Sequence, residues 1–233
     1  MAGLPHYVAY LIVGLLVTLF LTKTAYRWGE AYLAFALGAV GFVVIPFTQM
    51  PLQRMVISDW MIPSLQQGAS IYAVGMVPAL IAGVLQTLLL VALLYLVFTW
   101  RNPKQERYGA IGVCLGAAFG FAESCYLLGQ MLTPLFSWFL FERAFWIIGH
   151  AAIGGLLGLG VFKGRNNALV MIVVSVVINA LLRYLPVFVQ EEIMDVELAR
   201  ILVAACSLIV LVYAVFALGS AQKATRRRTS DAA

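Results

Sequence analysis

The sequence predicts an all-α, polytopic membrane protein, a bundle of about seven transmembrane helices. Three observations carry that prediction. Hydrophobic residues make up 63% of the 233-residue chain. Charged residues make up 11%, where an ordinary soluble domain carries about 25%. The apolar residues also gather into seven runs, each reaching or approaching the roughly 20 residues that cross a bilayer core as a helix. A soluble core of this size could not hide so much apolar side chain. The same figures exclude a disordered tail, a coiled coil and a nucleic-acid domain.

The first run covers residues 4–22. Lys23 and Arg27 follow it rather than precede it, which argues for a retained helix with its N-terminus outside and against a cleaved signal peptide. The second run is 31–48. The connection after it, 49–70, mixes Pro51, Arg54, Asp59, Trp60 and Pro63 with Met and Ile. It reads as a plain connector, or as a short amphipathic segment lying at the interface with Trp60 at headgroup level. A lid or substrate-contact role is open. The remaining runs are 72–100, 109–132, 136–162, 168–187 and 199–218. The third and fifth are long enough to tilt or to extend past the bilayer.

Charge placement orients the bundle. Of the 15 basic residues, eleven fall on one side: Lys23, Arg27, Arg101, Lys104, Arg107, Lys163, Arg165 and the tail residues Lys223, Arg226, Arg227 and Arg228. Arg54, Arg143, Arg183 and Arg200 fall on the other. The positive-inside rule then puts the C-terminus in the cytoplasm and the N-terminus outside. The acidic residues Glu191, Glu192, Asp195 and Glu197 cluster outside. The net charge of +5 is thus an orientation signal rather than a nucleic-acid one. Cys114, Cys125 and Cys206 all sit within apolar runs and read as packing residues. No strand pattern, internal repeat or low-complexity tract is visible. The expected organisation is one transmembrane domain over residues 1–220 and a basic cytoplasmic tail over 221–233.

An ionisable residue at membrane depth costs free energy and by default marks a function. Glu123, in the fourth run, is the only acidic residue well inside any run. Unpaired in hydrocarbon, a carboxylate is held neutral, which suits a general acid or base. The other reading is a protonated glutamate bonding a neighbouring helix. His150 stands near the middle of the fifth run, between Gly149 and the Gly154-Gly155 pair. Arg143, seven residues earlier, shares its helix face, unless it lies at the outer interface beside Glu142. Asn179 is central in the sixth run, with Arg183 one turn later on the same face. Gln86 is central in the third. With alternating helix directions, Gln86, His150 and Asn179 fall near the midplane and Glu123 slightly outward, so the four could share one buried pocket. Amides are also common interhelical glue. Gly112, Gly116 and Gly120 recur every four residues on the helix that carries Glu123, the small-residue pattern for tight helix contact.

Several of these residues resemble the YhfC-like family of intramembrane proteases, a family that looks related to PrsW and to the CAAX-type membrane proteases. Its pattern is a Gly-x-Gly-His-Gly-x-x-Glu stretch on one helix. Gly116, Gly120 and Glu123 match its first Gly, its third Gly and its Glu, while Ala118 and Phe119 replace the middle Gly and the His. Glu142-Arg143 with His150 resembles the family's Glu-Arg followed by a helix His. The run 37–42 looks like the family's second helix, and Asn179 corresponds to a late His/Asn/Asp position of the wider superfamily. The preceding helix departs: Leu85-Gln86 stands where the family has paired glutamates. The resemblance spans roughly residues 35–185.

The resemblance implies a membrane-embedded peptidase of a bacterial inner membrane, acting on a transmembrane or membrane-proximal peptide. Glu123 would activate water, His150 and Asn179 would stabilise the oxyanion, and Arg143 and Gln86 would support the pocket. Glu123 and His150 are the only good metal-ligand candidates, fewer than the three a catalytic zinc usually takes. No metal or cofactor is therefore expected, and no nucleic-acid partner. The loss of the paired glutamates keeps two alternatives open. One is a non-catalytic scaffold or transmembrane-segment-binding relative, as in the scaffold subunit of the presenilin complex, which looks related to the superfamily. The other is a small proton-coupled transporter using Glu123, against which the lack of a repeat argues.

Overall fold

The computed structural model describes residues 4–23, 27–130 and 137–230, with the side chains of 222–230 left aside. It is all-helical, with no strand among the described residues. Seven spans are long and apolar enough to cross a membrane: Leu4–Thr22, Gly29–Gln66, Ile71–Arg101, Gln105–Gly129, Trp138–Lys163, Arg165–Gln190 and Val196–Ala221. The chain is therefore an integral membrane protein by the length and composition of its helices.

The elements are α1 (Leu4–Thr22), α2 (Gly29–Phe42), α3 (Val44–Val56), a π-helical turn (Ile57–Met61), α4 (Ile62–Gln66), α5 (Ile71–Arg101), α6 (Tyr108–Gly129), α7 (Trp138–Lys163), α8 (Arg165–Gln190) and α9 (Val196–Ser230). Five of the seven predicted runs coincide with a single helix to within a few residues, and the last, 199–218, lies within the longer α9. Leu132 and Phe136, which bound two of the runs, lie outside the described residues. α9 continues as helix through the basic residues to Ser230.

The 49–70 connection corrects the sequence reading. It is neither a plain loop nor a segment separate from the second span. Only Val43 interrupts the helix between α2 and α3, and helical structure continues through the π turn to Gln66. Prolines suggested a break, but Pro46 stands in the first turn of α3, where its missing N–H has no intrahelical acceptor to lose. Pro51 lies inside α3 and removes one ladder bond. Gln49 is buried, 4% exposed, against α5. Trp60 is exposed on the π turn.

Lipid tails are as apolar as leucine, so helices in a bilayer adhere through close packing and hydrogen bonds rather than through hydrophobic exclusion. The small residues decide which helices form the centre. In α6 and α7, 72% and 78% of the spanning window is buried, against 22–39% in the other spans. These two pack antiparallel along Gly112, Gly116 and Gly120. A Cβ on Gly112 would fall on the carbonyl of Gly154, and one on Gly116 on the carbonyl of His150. α1 and α2 pack on α6, α9 packs on α7, and α8 bridges α7 and α5. The outer faces remain apolar, with Phe20, Phe47, Leu88, Val173, Ile209 and Phe216 exposed. On a soluble protein such a surface would be an association site. Here it faces lipid.

The reversal between α7 and α8 is a single residue, Gly164, with φ +107°. A side chain there would be strained. This tight turn fixes the register of α8 beside α7 and so the height at which α8 presents Arg183.

Candidate functional site

The close approach of α6 and α7 brings Glu123 and His150 together. Their side chains are 5% and 1% exposed, and His150 Nε2 lies 2.9 Å from Glu123 Oε2. With the imidazole N–H donating, this is a buried hydrogen bond between the two residues singled out first in the sequence. Phe119 stands where the YhfC-like pattern carries His. It is fully buried, with its ring 5.4 Å from that of His150 and edge-on to Phe42. His150 Nδ1 is buried with no partner among the described residues.

Glu123 is not unpaired, which corrects the sequence reading. Arg183 Nη2 donates to Glu123 Oε1 and, at 2.8 Å, to Gln86 Oε1. A guanidinium beside the carboxylate compensates its charge at membrane depth, so the group need not be neutral to be buried. Arg183, counted with Arg143 toward the outer side by charge placement, turns inward to Glu123. The signal was present, because Arg183 falls inside the sixth apolar run and one turn from Asn179.

From Arg183 a chain of amides runs outward. Gln86 Nε2 donates to Gln49 Oε1 at 3.1 Å, Gln49 Nε2 to Gln53 Oε1 at 3.1 Å, and Gln53 Nε2 to the carbonyl of Pro78 at 2.8 Å. Five helices, α3, α5, α6, α7 and α8, are therefore joined through one polar network. Gln49 was missed because it stands one residue beyond the second apolar run. Gln86 occupies the place of the family's paired glutamates and acts as an acceptor for Arg183.

Asn179 lies on the same network's edge but does not reach its centre. Its Nδ2 donates to Thr87 Oγ1 at 3.3 Å, and its buried Oδ1 has no partner among the described residues. No hydrogen bond joins it to Glu123 or His150 among those residues. The pairing is made possible by Gly83, where a Cβ would press on the backbone of Val176 and Ala180 and hold α5 off α8.

Arg143 is buried, at 8% exposure. It pairs with Glu142, whose carboxylate also accepts from Trp146 Nε1 and Arg200 Nε, both at 3.2 Å. The Trp146 ring joins the two halves of the site. Arg143 Cζ and Arg183 Cζ lie 5.2 and 5.0 Å from its centroid, within cation–π range, and the His150 ring lies at 5.9 Å.

A cavity of about 750 Å³ opens beside this cluster. Its polar wall contains Gln49, Gln53, Glu142, Arg143, Arg183 and Arg200, and Leu182, Leu185 and Val203 are among its apolar lining. Glu123 and His150 sit behind Arg183 and are not part of that lining. The cavity lies at the end of the bundle where α5, α7 and α9 begin and α8 ends, the outer end by charge placement. Its volume is that of an ordinary small-ligand site. Among the described residues no group of three His, Cys, Asp or Glu stands together as a metal site. Glu123 and His150 would supply two of the three protein ligands that a catalytic zinc usually takes.

Comparison of the chain with protein-family models, with curated proteins and with solved structures finds no match.

Proposed function

We propose that this protein is a membrane-embedded peptidase of the YhfC-like type, taking a membrane-held peptide from the outer side. The observation that carries the reading is the 2.9 Å bond between Glu123 and His150, one side chain behind a cavity wide enough for part of a peptide. A carboxylate oriented by an imidazole in a water-poor setting is the arrangement a general base requires. Glu123 takes the proton of the attacking water and His150 holds the carboxylate in place. Arg183, which lines the cavity, is the donor best placed to meet a developing oxyanion. Asn179 serves in this reading as a positioning residue, through Thr87, rather than as an oxyanion donor.

A second reading rests on a specific observation. Both oxygens of Glu123 are engaged, one by Arg183 and one by His150. A base held in an ion pair is a weak one, and Arg183 must move before water reaches it. If it does not move, the protein is a binding scaffold that receives a transmembrane segment without cutting it.

The test compares wild type, Glu123→Gln and His150→Ala, purified and reconstituted, on a panel of membrane-tethered peptides. Cleavage by wild type with a loss of about 10²-fold or more in both variants is expected, the usual size of an acid–base contribution. Cleavage that persists in both variants overturns the assignment. Binding without cleavage in wild type leaves the scaffold.

A further inference from the structure

Three arginines and one glutamate, Glu142, are in the lining of the cavity. Arg143, Arg183 and Arg200 line it, and the carboxylates bonded to them are Glu142 and Glu123. Glu142 is shared between Arg143 and Arg200, while Glu123 serves Arg183. Among the lining arginines and their bonded partners, three guanidiniums thus meet two carboxylates. The unused hydrogen-bonding capacity has the same sign. Arg143 Nε and Arg183 Nε are buried with no partner among the described residues, and the Arg143 side chain is only 9% exposed. Gln49 and Gln53 are spent on each other, on Gln86 and on Pro78. A peptide backbone needs donors and acceptors in equal number. The wall instead offers guanidinium donors, which a charged acceptor satisfies better than a neutral amide.

We infer that the cavity recognises a carboxylate on the incoming peptide, held by Arg143, Arg183 and Arg200. The inference rests on the peptide-binding reading above and names the chemistry of its ligand. Guanidinium suits a carboxylate because its planar donors match two oxygens at once. The recess of the arginines within their helices favours a peptide over a phospholipid headgroup. Arg183 precedes the end of α8 at Gln190 by seven residues, about 10 Å at 1.5 Å per residue. Arg143 follows the start of α7 at Trp138 by five, about 7 Å. Both are recessed by a turn or more from the helix ends, where a peptide threading the cavity carries its carboxylate. The apolar lining at Leu182, Leu185 and Val203 suits flanking aliphatic side chains. The carboxylate can be a C-terminus or an Asp or Glu side chain. Its arrival would also compete with Glu123 for Arg183, coupling occupancy of the cavity to release of the buried carboxylate.

The test uses the full chain in phosphatidylcholine nanodiscs and a leucine-rich fluorescent peptide in four forms: a single Asp or its Asn isostere, each with a free or an amidated C-terminus. Binding is followed by fluorescence anisotropy. At least tenfold tighter binding of the acidic forms is expected, with the Asp/Asn and acid/amide arms showing which carboxylate is read. Arg200→Gln should erase most of that preference. Arg200 stands near the start of α9 and is 26% exposed at its side chain, and Arg143→Gln serves as a second variant. Equal binding of acidic and neutral peptides overturns the inference, as does an acid preference that survives both substitutions. So does displacement of every peptide form alike by phosphatidylglycerol, which would make the site a lipid one. The two proposals fail separately. Acid-selective binding without cleavage removes the peptidase reading alone, and cleavage blind to charge removes the carboxylate inference alone.

Discussion

Arg183 is the residue on which the site turns. It links Glu123 to Gln86 and forms part of the cavity wall. Removing one partner of a buried ion pair strands the other, at a cost of about 3–5 kcal/mol, whereas replacing both is often close to neutral. Arg183→Leu should therefore strongly destabilise the protein, and adding Glu123→Gln should recover most of the loss. Unfolding of the two variants and of Glu123→Gln alone, measured in one detergent, closes the cycle. Additive effects would mean that the two groups do not depend on each other in the folded state. The sequence made Glu123 and His150 legible because ionisable residues are rare at membrane depth. It left Arg183 obscure for a related reason: an arginine near the end of an apolar run looks the same whether it snorkels to the interface or turns inward to a carboxylate. Only the packing of α8 against α5 and α7, which brings Arg183 to Glu123, decides.

At the scale of helices, the site is a product of small residues. The α6–α7 approach works only without side chains at Gly112 and Gly116, since backbone carbonyls of α7 occupy the places their Cβ atoms would take. Gly116→Ala should push α7 away at the height of His150 and cost about 1–3 kcal/mol, the usual range for overpacking. It should also lengthen the Glu123–His150 contact and reduce function more than stability alone accounts for. Gly219→Ala, in α9 where nothing lies within 4 Å of a new Cβ, should be neutral or gain up to about 1 kcal/mol from helix propensity. Thermal melts of the two variants give the comparison, and equal melting temperatures would refute the close-packing account. The four-residue glycine spacing exposed this contact in advance. Hydropathy alone could not show that α3 continues the second span. Its polar residues Gln49 and Gln53 suppress the apolar signal, yet they are polar because they bond across the bundle to α5.

For the whole molecule, charge asymmetry and the cavity make one joint claim about orientation. The cavity lies at the opposite end from Arg101, Lys104, Lys163 and Arg165, so it opens outside if the positive-inside rule governs this chain. Single cysteines test this in a background where Cys114, Cys125 and Cys206 are replaced. Gln190→Cys, at the exposed end of α8 beside the cavity, should react with a membrane-impermeant thiol reagent added to intact cells. Lys104→Cys, on the exposed connection between α5 and α6, should react only after permeabilisation. The reverse pattern would turn the cavity toward the cytoplasm. A peptide carrying a carboxylate would then have to come from inside, and the reading of the site as a receiver of extracytoplasmic segments would fall while its internal chemistry stood.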